Sequence, residues 1–210
     1  TDGGLSWSEL NGLAYGLSSV YFVDANTGYA VGCNDECTEG TILKTIDGGE
    51  TWVELIIGIT FPLESVFFTS NTTGYATGEG GTILKTVDGG LSWTDYLNGA
   101  NKYLNSVEFI DSDTGYAVGE HGTILKTINA GNTWTSMDSG TGLEIYTINF
   151  TNPTTGYAMC GGEGANGSTI IKTSDGGMSW GTVWQQTSNW LFDISFTDEN
   201  TGFAIGISED

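Results

Sequence analysis

Arginine is absent. Five lysines are the only strongly basic side chains among 210 residues, against 26 aspartates and glutamates, and the formal net charge is −21. Phosphate neutralisation needs clustered Lys and Arg, so nucleic acid is excluded as a partner. Anionic membrane surfaces are disfavoured for the same reason. Histidine is down to one residue, His121, with no nucleophile motif around it, which leaves no Ser–His–Asp constellation. No stretch approaches the roughly 18 apolar residues of a membrane-spanning helix. The chain opens on Thr1 without a Met or a signal-like segment, which reads as a processed product or a fragment. Proline is nearly missing, at two residues, whereas glycine reaches 33. With 38% hydrophobic and 12% aromatic residues, the composition predicts a packed core with many tight turns, in one domain spanning 1–210.

The chain repeats itself, and repeats outrank local motifs. Thr45-Ile-Asp47-Gly-Gly49-Glu-Thr51-Trp52 returns as Thr86-Val-Asp88-Gly-Gly90-Leu-Ser92-Trp93, as Thr127-Ile-Asn129-Ala-Gly131-Asn-Thr133-Trp134 and as Thr173-Ser-Asp175-Gly-Gly177-Met-Ser179-Trp180. A shortened copy, from Asp2 to Trp7, opens the chain. A Gly-Tyr-Ala block recurs at Gly28, Gly74, Gly115 and Gly156 and, with Phe for Tyr, at Gly202. A Thr-Ile-(Leu/Ile)-Lys-Thr block places Lys44, Lys85, Lys126 and Lys172 at equivalent positions. Period-two segments such as Val66-Phe67-Phe68 and Val107-Glu108-Phe109 complete each unit. Each unit of about 41 residues reads as four short strands, the fourth carrying the Trp, and this is the signature of a propeller blade.

Thr-x-Asp-x-Gly-x-(Ser/Thr)-Trp is the Asp-box, or BNR, repeat. Together with Gly-Tyr-Ala-Val-Gly and Gly-Thr-Ile-Leu-Lys-Thr it resembles the photosystem II stability and assembly factor-like repeat family, whose repeat also occurs in many secreted bacterial proteins. The resemblance runs along the whole chain. It implies an all-β propeller of four-stranded blades: five blades, or a fragment of a six- to eight-bladed one. The units fall at about 8–52, 53–93, 94–134, 135–180, and 181–210 completed by 1–7. The family's precedent for function is binding to assembly partners, although its arginine-bearing contact surface has no counterpart here. More distant Asp-box relatives include sialidases and xyloglucanases. Sialidases of this class hold a substrate carboxylate with an arginine cluster, so that activity is excluded.

Repeated residues read first as scaffold. The box acids Asp2, Asp47, Asp88 and Asp175 are expected to accept backbone N–H groups across their own turns, and Asn129 keeps that acceptor. Trp7, Trp52, Trp93, Trp134 and Trp180 are expected to fill space between units. The second box glycine never varies and is expected to need positive φ, whereas its predecessor, replaced by Ala130, is not. The four equivalent lysines are expected to snorkel toward acidic partners. Asp111 and Asp113 resemble part of a calcium loop but lack its bidentate Glu, so no cofactor or metal is assigned beyond that weak calcium candidate. Cys33 and Cys37 flank a small insertion and suit a disulfide. They point to an extracellular or cell-surface setting, with the periplasm as alternative. Cys160 suits a packed free thiol.

Function is expected where the repeats vary. The connections between strands two and three contain Glu79, Glu120 and His121. At the starts of the inner strands stand Gly16, Pro62, Tyr103, Glu144 and Trp190, and two residues on stand Ser18, Glu64, Asn105, Tyr146 and Phe192. Tyr103, Tyr146, Trp184, Trp190 and Phe192 form the candidate aromatic patch. The leading expectation is a non-catalytic interaction scaffold binding a protein or copies of itself. A glycan-binding module is the alternative, and a carboxylate glycosidase ranks below it.

Overall fold

The computed structural model describes residues 5, 16–55, 58–96, 101–161, 167–187 and 189–208. Asp2, Trp7 and the proposed closure of the last unit by 1–7 lie outside them. Four four-stranded antiparallel sheets and one two-stranded sheet follow in chain order. The first holds β1 (Gly16–Phe22), β2 (Gly28–Cys33), β3 (Gly40–Thr45) and β4 (Val53–Glu54). The second holds β5 (Leu63–Phe68), β6 (Gly74–Gly78), β7 (Ile83–Thr86) and β8 (Thr94–Asp95). The third holds β9 (Leu104–Phe109), β10 (Gly115–Gly119), β11 (Thr123–Thr127) and β12 (Thr135–Met137). The fourth holds β13 (Glu144–Phe150), β14 (Gly156–Gly161), β15 (Ser168–Thr173) and β16 (Gly181–Gln186), and β17 (Asn189–Phe196) pairs with β18 (Gly202–Ser208). The first strands of successive sheets lie side by side, β1 against β5, β5 against β9, β9 against β13 and β13 against β17, as innermost propeller strands do. The box Trp precedes strand four instead of lying in it. Among the described residues no helix is long and apolar enough to cross a membrane.

Two recurring contacts explain the repeat. Within a sheet, the Phe that ends strand one pairs with the Gly that opens strand two, Phe68 with Gly74 for example. A Cβ on Gly74 would come within 2.5 Å of the Phe68 ring, so only glycine lets the ring lie there. Between sheets, the Tyr of Gly-Tyr-Ala stacks on that Phe of the next sheet: Tyr29 on Phe68, Tyr75 on Phe109, Tyr116 on Phe150 and Tyr157 on Phe196, with centroids 3.9 to 4.2 Å apart. The Tyr29 hydroxyl donates to Gly89 O at 2.7 Å, Tyr75 to Ala130 O at 2.9 Å and Tyr116 to Gly176 O at 2.8 Å.

The same carbonyls correct the reading of the lysines. Lys44, Lys85 and Lys126 donate to Gly89 O, Ala130 O and Gly176 O at 2.6 to 2.7 Å, and each ammonium lies over the Tyr of its own sheet. They pin the next sheet's box turn and are not paired with carboxylates there. That carbonyl is free to accept because its residue adopts positive φ, which turns it outward. Gly48, Gly89 and Gly176 do so, and so does Ala130 at φ 56°. Both box positions therefore require the left-handed region, contrary to the expectation drawn from Ala130, and Ala130 is held there against its own Cβ.

The faces at the two ends of the sheet series repeat this junction pattern without a neighbour among the described residues. Phe22 is 43% exposed and Val20 59%, whereas their equivalents Phe68 and Val66 are buried. At the other end Phe203 is 63% exposed, with Ile205 and Ile207 beside it.

Candidate functional site

The boxes form one end of the sheets. Asp47 Oδ1 accepts the Thr45 hydroxyl at 2.7 Å and the Thr51 N–H at 2.9 Å, and Oδ2 accepts the Thr51 hydroxyl. Asp88 and Asp175 repeat these bonds with Ser92 and Ser179. The side-chain hydroxyl bonds, followed by the backbone ones, pull all three carboxyls down to about 2. Asn129 keeps the motif by reversing one bond: its Nδ2 donates to the Thr133 hydroxyl at 2.9 Å while Oδ1 accepts the Thr133 N–H at 3.0 Å. Trp52, Trp93, Trp134 and Trp180 meet the Phe of their own sheets edge-on, and their indole N–H groups have no acceptor among the described residues. Each box is bonded to the neighbouring strand-one-to-two turn, Gly48 N–H to Asn26 O and Ala130 N–H to Asp113 O for instance. Asp111 Oδ1 accepts the Asp113 and Thr114 N–H groups, as Asp24 and Asp198 do in their own turns. Its carboxylate closes a turn, and the described residues contain no metal-binding cluster of His, Cys, Asp and Glu.

The opposite end is irregular. Every strand one carries a β-bulge, where two residues oppose one on strand two: the registers break between Leu17 and Ser19, Leu63 and Ser65, Leu104 and Ser106, Ile145 and Thr147, and Leu191 and Asp193. The residues left unpaired are Ser18, Glu64, Asn105, Tyr146 and Phe192. A bulge re-aims its side chain out of the ladder, so these five are the variable residues that the inner strands present at this end. The sequence singled out the positions but gave no sign of the bulge.

Two of these residues tie neighbouring sheets together. Tyr103 donates its hydroxyl to Glu64 Oε1 at 2.7 Å, and its N–H to Glu120 Oε2 at 3.2 Å. Burial, then the bond to Glu64, then the charges of Glu64, Glu79 and Glu120 raise the Tyr103 hydroxyl far above its ordinary value, so three carboxylates converge on this ring. Asn105 Nδ2 donates to Glu144 Oε1 at 2.9 Å and to Ile145 O at 3.0 Å. Glu79 and Glu120 open short helical turns in which Gly80 and His121 take positive φ. In the first sheet the Cys33–Cys37 disulfide occupies the corresponding loop.

The next junction, between the fourth and fifth sheets, holds a cleft of about 160 Å³ lined by Tyr146, Gly161, Gly167, Ser168 and the run Trp190-Leu191-Phe192. Three members of the sequence-derived aromatic patch meet here. Tyr103 sits apart at the junction of the second and third sheets, and Trp184 lies on the outer strand β16, opposite Ile170. Trp184 thus falls outside the site. Gly161 and Gly167, which the sequence reading passed over, line the cleft: a Cβ on Gly161 would approach the Tyr146 ring to 3.0 Å, whereas one on Gly167 would strike the Gln186 backbone. Cys160 is buried and free, and burial pushes its thiol up to about 12, which keeps it unreactive.

Comparisons with known proteins agree with this geometry. A family model described as photosynthesis system II assembly factor YCF48 matches residues 56–144. Among solved structures, YCF48 bound to D1 peptide has a TM-score of 0.72 at 23% identity, covering 92% of this chain and 61% of that one. YCF48 from Cyanidioschyzon merolae gives 0.71 at 21% identity, covering 99% and 70%. The GH74 enzyme of Niastella koreensis gives 0.65 at 20% identity, covering 80% and 30%. The chain thus spans about three fifths of the YCF48 chain bound to peptide and under a third of the GH74 enzyme. No curated protein sequence matches the chain. The chain has the β-propeller fold, and the repeats within residues 56–144 are similar to those of the YCF48 family. One expectation is overturned: the extracellular or cell-surface setting does not stand against the matches to proteins described as photosystem II assembly factors.

Proposed function

We propose that the chain is a non-catalytic protein-interaction module whose contact surface is the end bearing the five bulge residues. The observation that carries this reading is the division of labour between the two ends. One end repeats the same hydrogen bonds from sheet to sheet, whereas the other gathers the residues that differ and leaves an aromatic cleft among them. Of its carboxylates, Glu64 holds the Tyr103 hydroxyl and Glu144 the Asn105 amide. A YCF48 bound to a D1 peptide supplies a precedent for a polypeptide ligand on this fold. The GH74 relatives are enzymes on the same fold, and fold alone does not carry activity. The test runs two assays on one preparation: selection from a displayed peptide library, and release of reducing ends from xyloglucan and other soluble polysaccharides. Peptide enrichment without hydrolysis is expected. Hydrolysis that co-purifies with the chain overturns the reading.

Self-association is a second reading, favoured by the exposed Phe22 and Val20 face and the exposed Phe203, Ile205 and Ile207 face, which match the two halves of a buried junction. Light scattering across a concentration series tests it. A mass that stays at 22.2 kDa would sink it.

A further inference from the structure

We infer that the cleft between the fourth and fifth sheets is a pocket for one bulky apolar side chain of a polypeptide, presented beside a basic residue. This rests on the protein-binding reading above and specifies the partner's chemistry.

Where the bulge residue is Glu64 or Asn105, a hydrogen bond to the neighbouring sheet closes the gap. At the fourth junction the bulge residue is Tyr146 and the facing segment is Trp190-Leu191-Phe192. A cleft of about 160 Å³ remains, lined by Gly161 and Gly167 as well as the rings. An apolar cavity of about that volume admits a benzene ring, so the space suits one Phe, Tyr, Leu or Met side chain. The absence of a side chain at Gly161 is part of the site, since a Cβ there would already approach the Tyr146 ring to 3.0 Å. Phe192 is 55% exposed and offers its ring at the rim.

The polar content of the lining separates a peptide from a sugar. Among the described lining residues, Ser168 and Tyr146 carry the hydroxyls, and Ser168 Oγ accepts the Leu191 N–H at 2.8 Å. A sugar ring carries several hydroxyls that would go unmet here, whereas an apolar side chain leaves nothing unmet.

The charge follows from the rim. Glu144 lies directly opposite Gly161 in the β13–β14 ladder, and its partner is the neutral carboxamide of Asn105. Glu64 and Glu120 stand farther along the same end, hydrogen-bonded to Tyr103. Lys44, Lys85 and Lys126 are held by box carbonyls at the other end, and Lys102 stands at this end next to Tyr103, so the charge at the cleft rests on Glu144. Carboxylates and aromatic faces both attract cations, so a Lys or Arg flanking the apolar anchor is favoured and an acidic flank is repelled.

The test is selection from a displayed random-peptide library on the immobilised chain, followed by anisotropy titration of two fluorescein-labelled peptides with Lys-Phe-Lys or Glu-Phe-Glu at the centre. The expected result is enrichment of an aromatic or large aliphatic residue next to Lys or Arg, with at least tenfold tighter binding of the Lys-Phe-Lys peptide. That binding should weaken severalfold between 50 and 300 mM salt, and at least tenfold in Trp190→Ala. Because Trp190 also packs the last sheet, Phe192→Ala, changed at an exposed ring, is the second variant, and circular dichroism confirms its fold. Selected peptides of other chemistry, or affinity unmoved by both variants, would overturn the pocket while leaving the protein-binding reading intact. A library that yields no peptide would overturn that reading and the pocket with it. Xyloglucan oligosaccharide bound in the cleft and lost in the same variants would overturn the choice of peptide over sugar.

Discussion

Glu108 is the residue whose replacement tests the energetics of the scaffold most directly. It lies on β9, where Tyr21, Phe67, Asn149 and Ser195 occupy the equivalent positions, and it faces the fourth sheet. There Asn149 Nδ2 donates to its Oε1 at 3.2 Å and Phe150 N–H to its Oε2 at 3.0 Å. Burial outweighs both bonds and raises the carboxyl from 4.5 to about 8. At about 1.4 kcal/mol per pH unit, the ceiling on the cost of ionising it in the folded chain is about 5 kcal/mol; its residual exposure to solvent brings this to about 2 to 3 kcal/mol. The sign follows from linkage. The folded chain holds a proton that the unfolded chain releases near 4.5, so the carboxyl favours folding most at low pH, and stability falls between about pH 4.5 and 8 and then levels. Glu108→Gln puts a side chain of the same length there that is neutral at every pH. The new amide oxygen accepts the Phe150 N–H, and Asn149 turned over offers its own oxygen to the new amide nitrogen. Glu108→Gln should therefore match the parent at pH 5 to within about 1 kcal/mol and exceed it by about 2 to 3 kcal/mol at pH 8.5. The assay is urea denaturation of both proteins at half-unit steps from pH 5 to 9. Taking the difference removes the contribution of the other acids. A difference that stays constant across this range would refute the claim that the carboxyl is held protonated, and with it the view of this junction as a dry one.

The repeats supply three further tests. Ala130→Gly relieves a left-handed backbone at φ 56° and should stabilise the chain by about 1 kcal/mol, raising Tm by about 2 to 4 °C in a thermal scan; an unchanged or lower Tm would show that the turn is not strained. Tyr116→Phe removes the hydroxyl that reaches Gly176 O at 2.8 Å and should cost about 1 kcal/mol in urea, with the Lys126 bond to the same carbonyl limiting the loss. Asp88→Asn should be tolerated at neutral pH because Asn129 shows the amide version of the box, whereas Asp88→Leu should lower Tm. Since the Asp88 carboxyl is held down to about 2 by its hydroxyl and backbone donors, its contribution is present above about pH 4 and lost as pH falls toward 2. Asp88→Asn should therefore flatten the acid limb of a stability–pH curve, and an unaltered limb would show that the box charge does not matter.

What could be read in the sequence depended on whether a residue's task recurs. Gly74, Phe68 and Tyr29 are legible because the same ring-over-glycine and ring-on-ring contacts recur from junction to junction, so the motif records the packing. The lysines were legible as a set but not in their bonds: Lys44 reaches Gly89 O, 45 residues away, and nothing in the local sequence marks a carbonyl as the acceptor. Ala130 misled because one non-glycine in a column of glycines looks like evidence that positive φ is not needed, when the surrounding Tyr75 and Lys85 bonds to its carbonyl are enough to hold the strained backbone. Trp184 stands outside the repeated Trp register, but register says nothing of which strand edge a residue occupies. The cleft shows the limit most clearly. Its aromatic members stand at positions that vary, and variation draws attention to them. One of its walls is Gly161, in a chain with 33 glycines where one more carries no signal. A bulge that turns one side chain of each inner strand out of its ladder, and a missing Cβ that keeps the space open, are properties of paired strands, and they become visible only once the strands are paired.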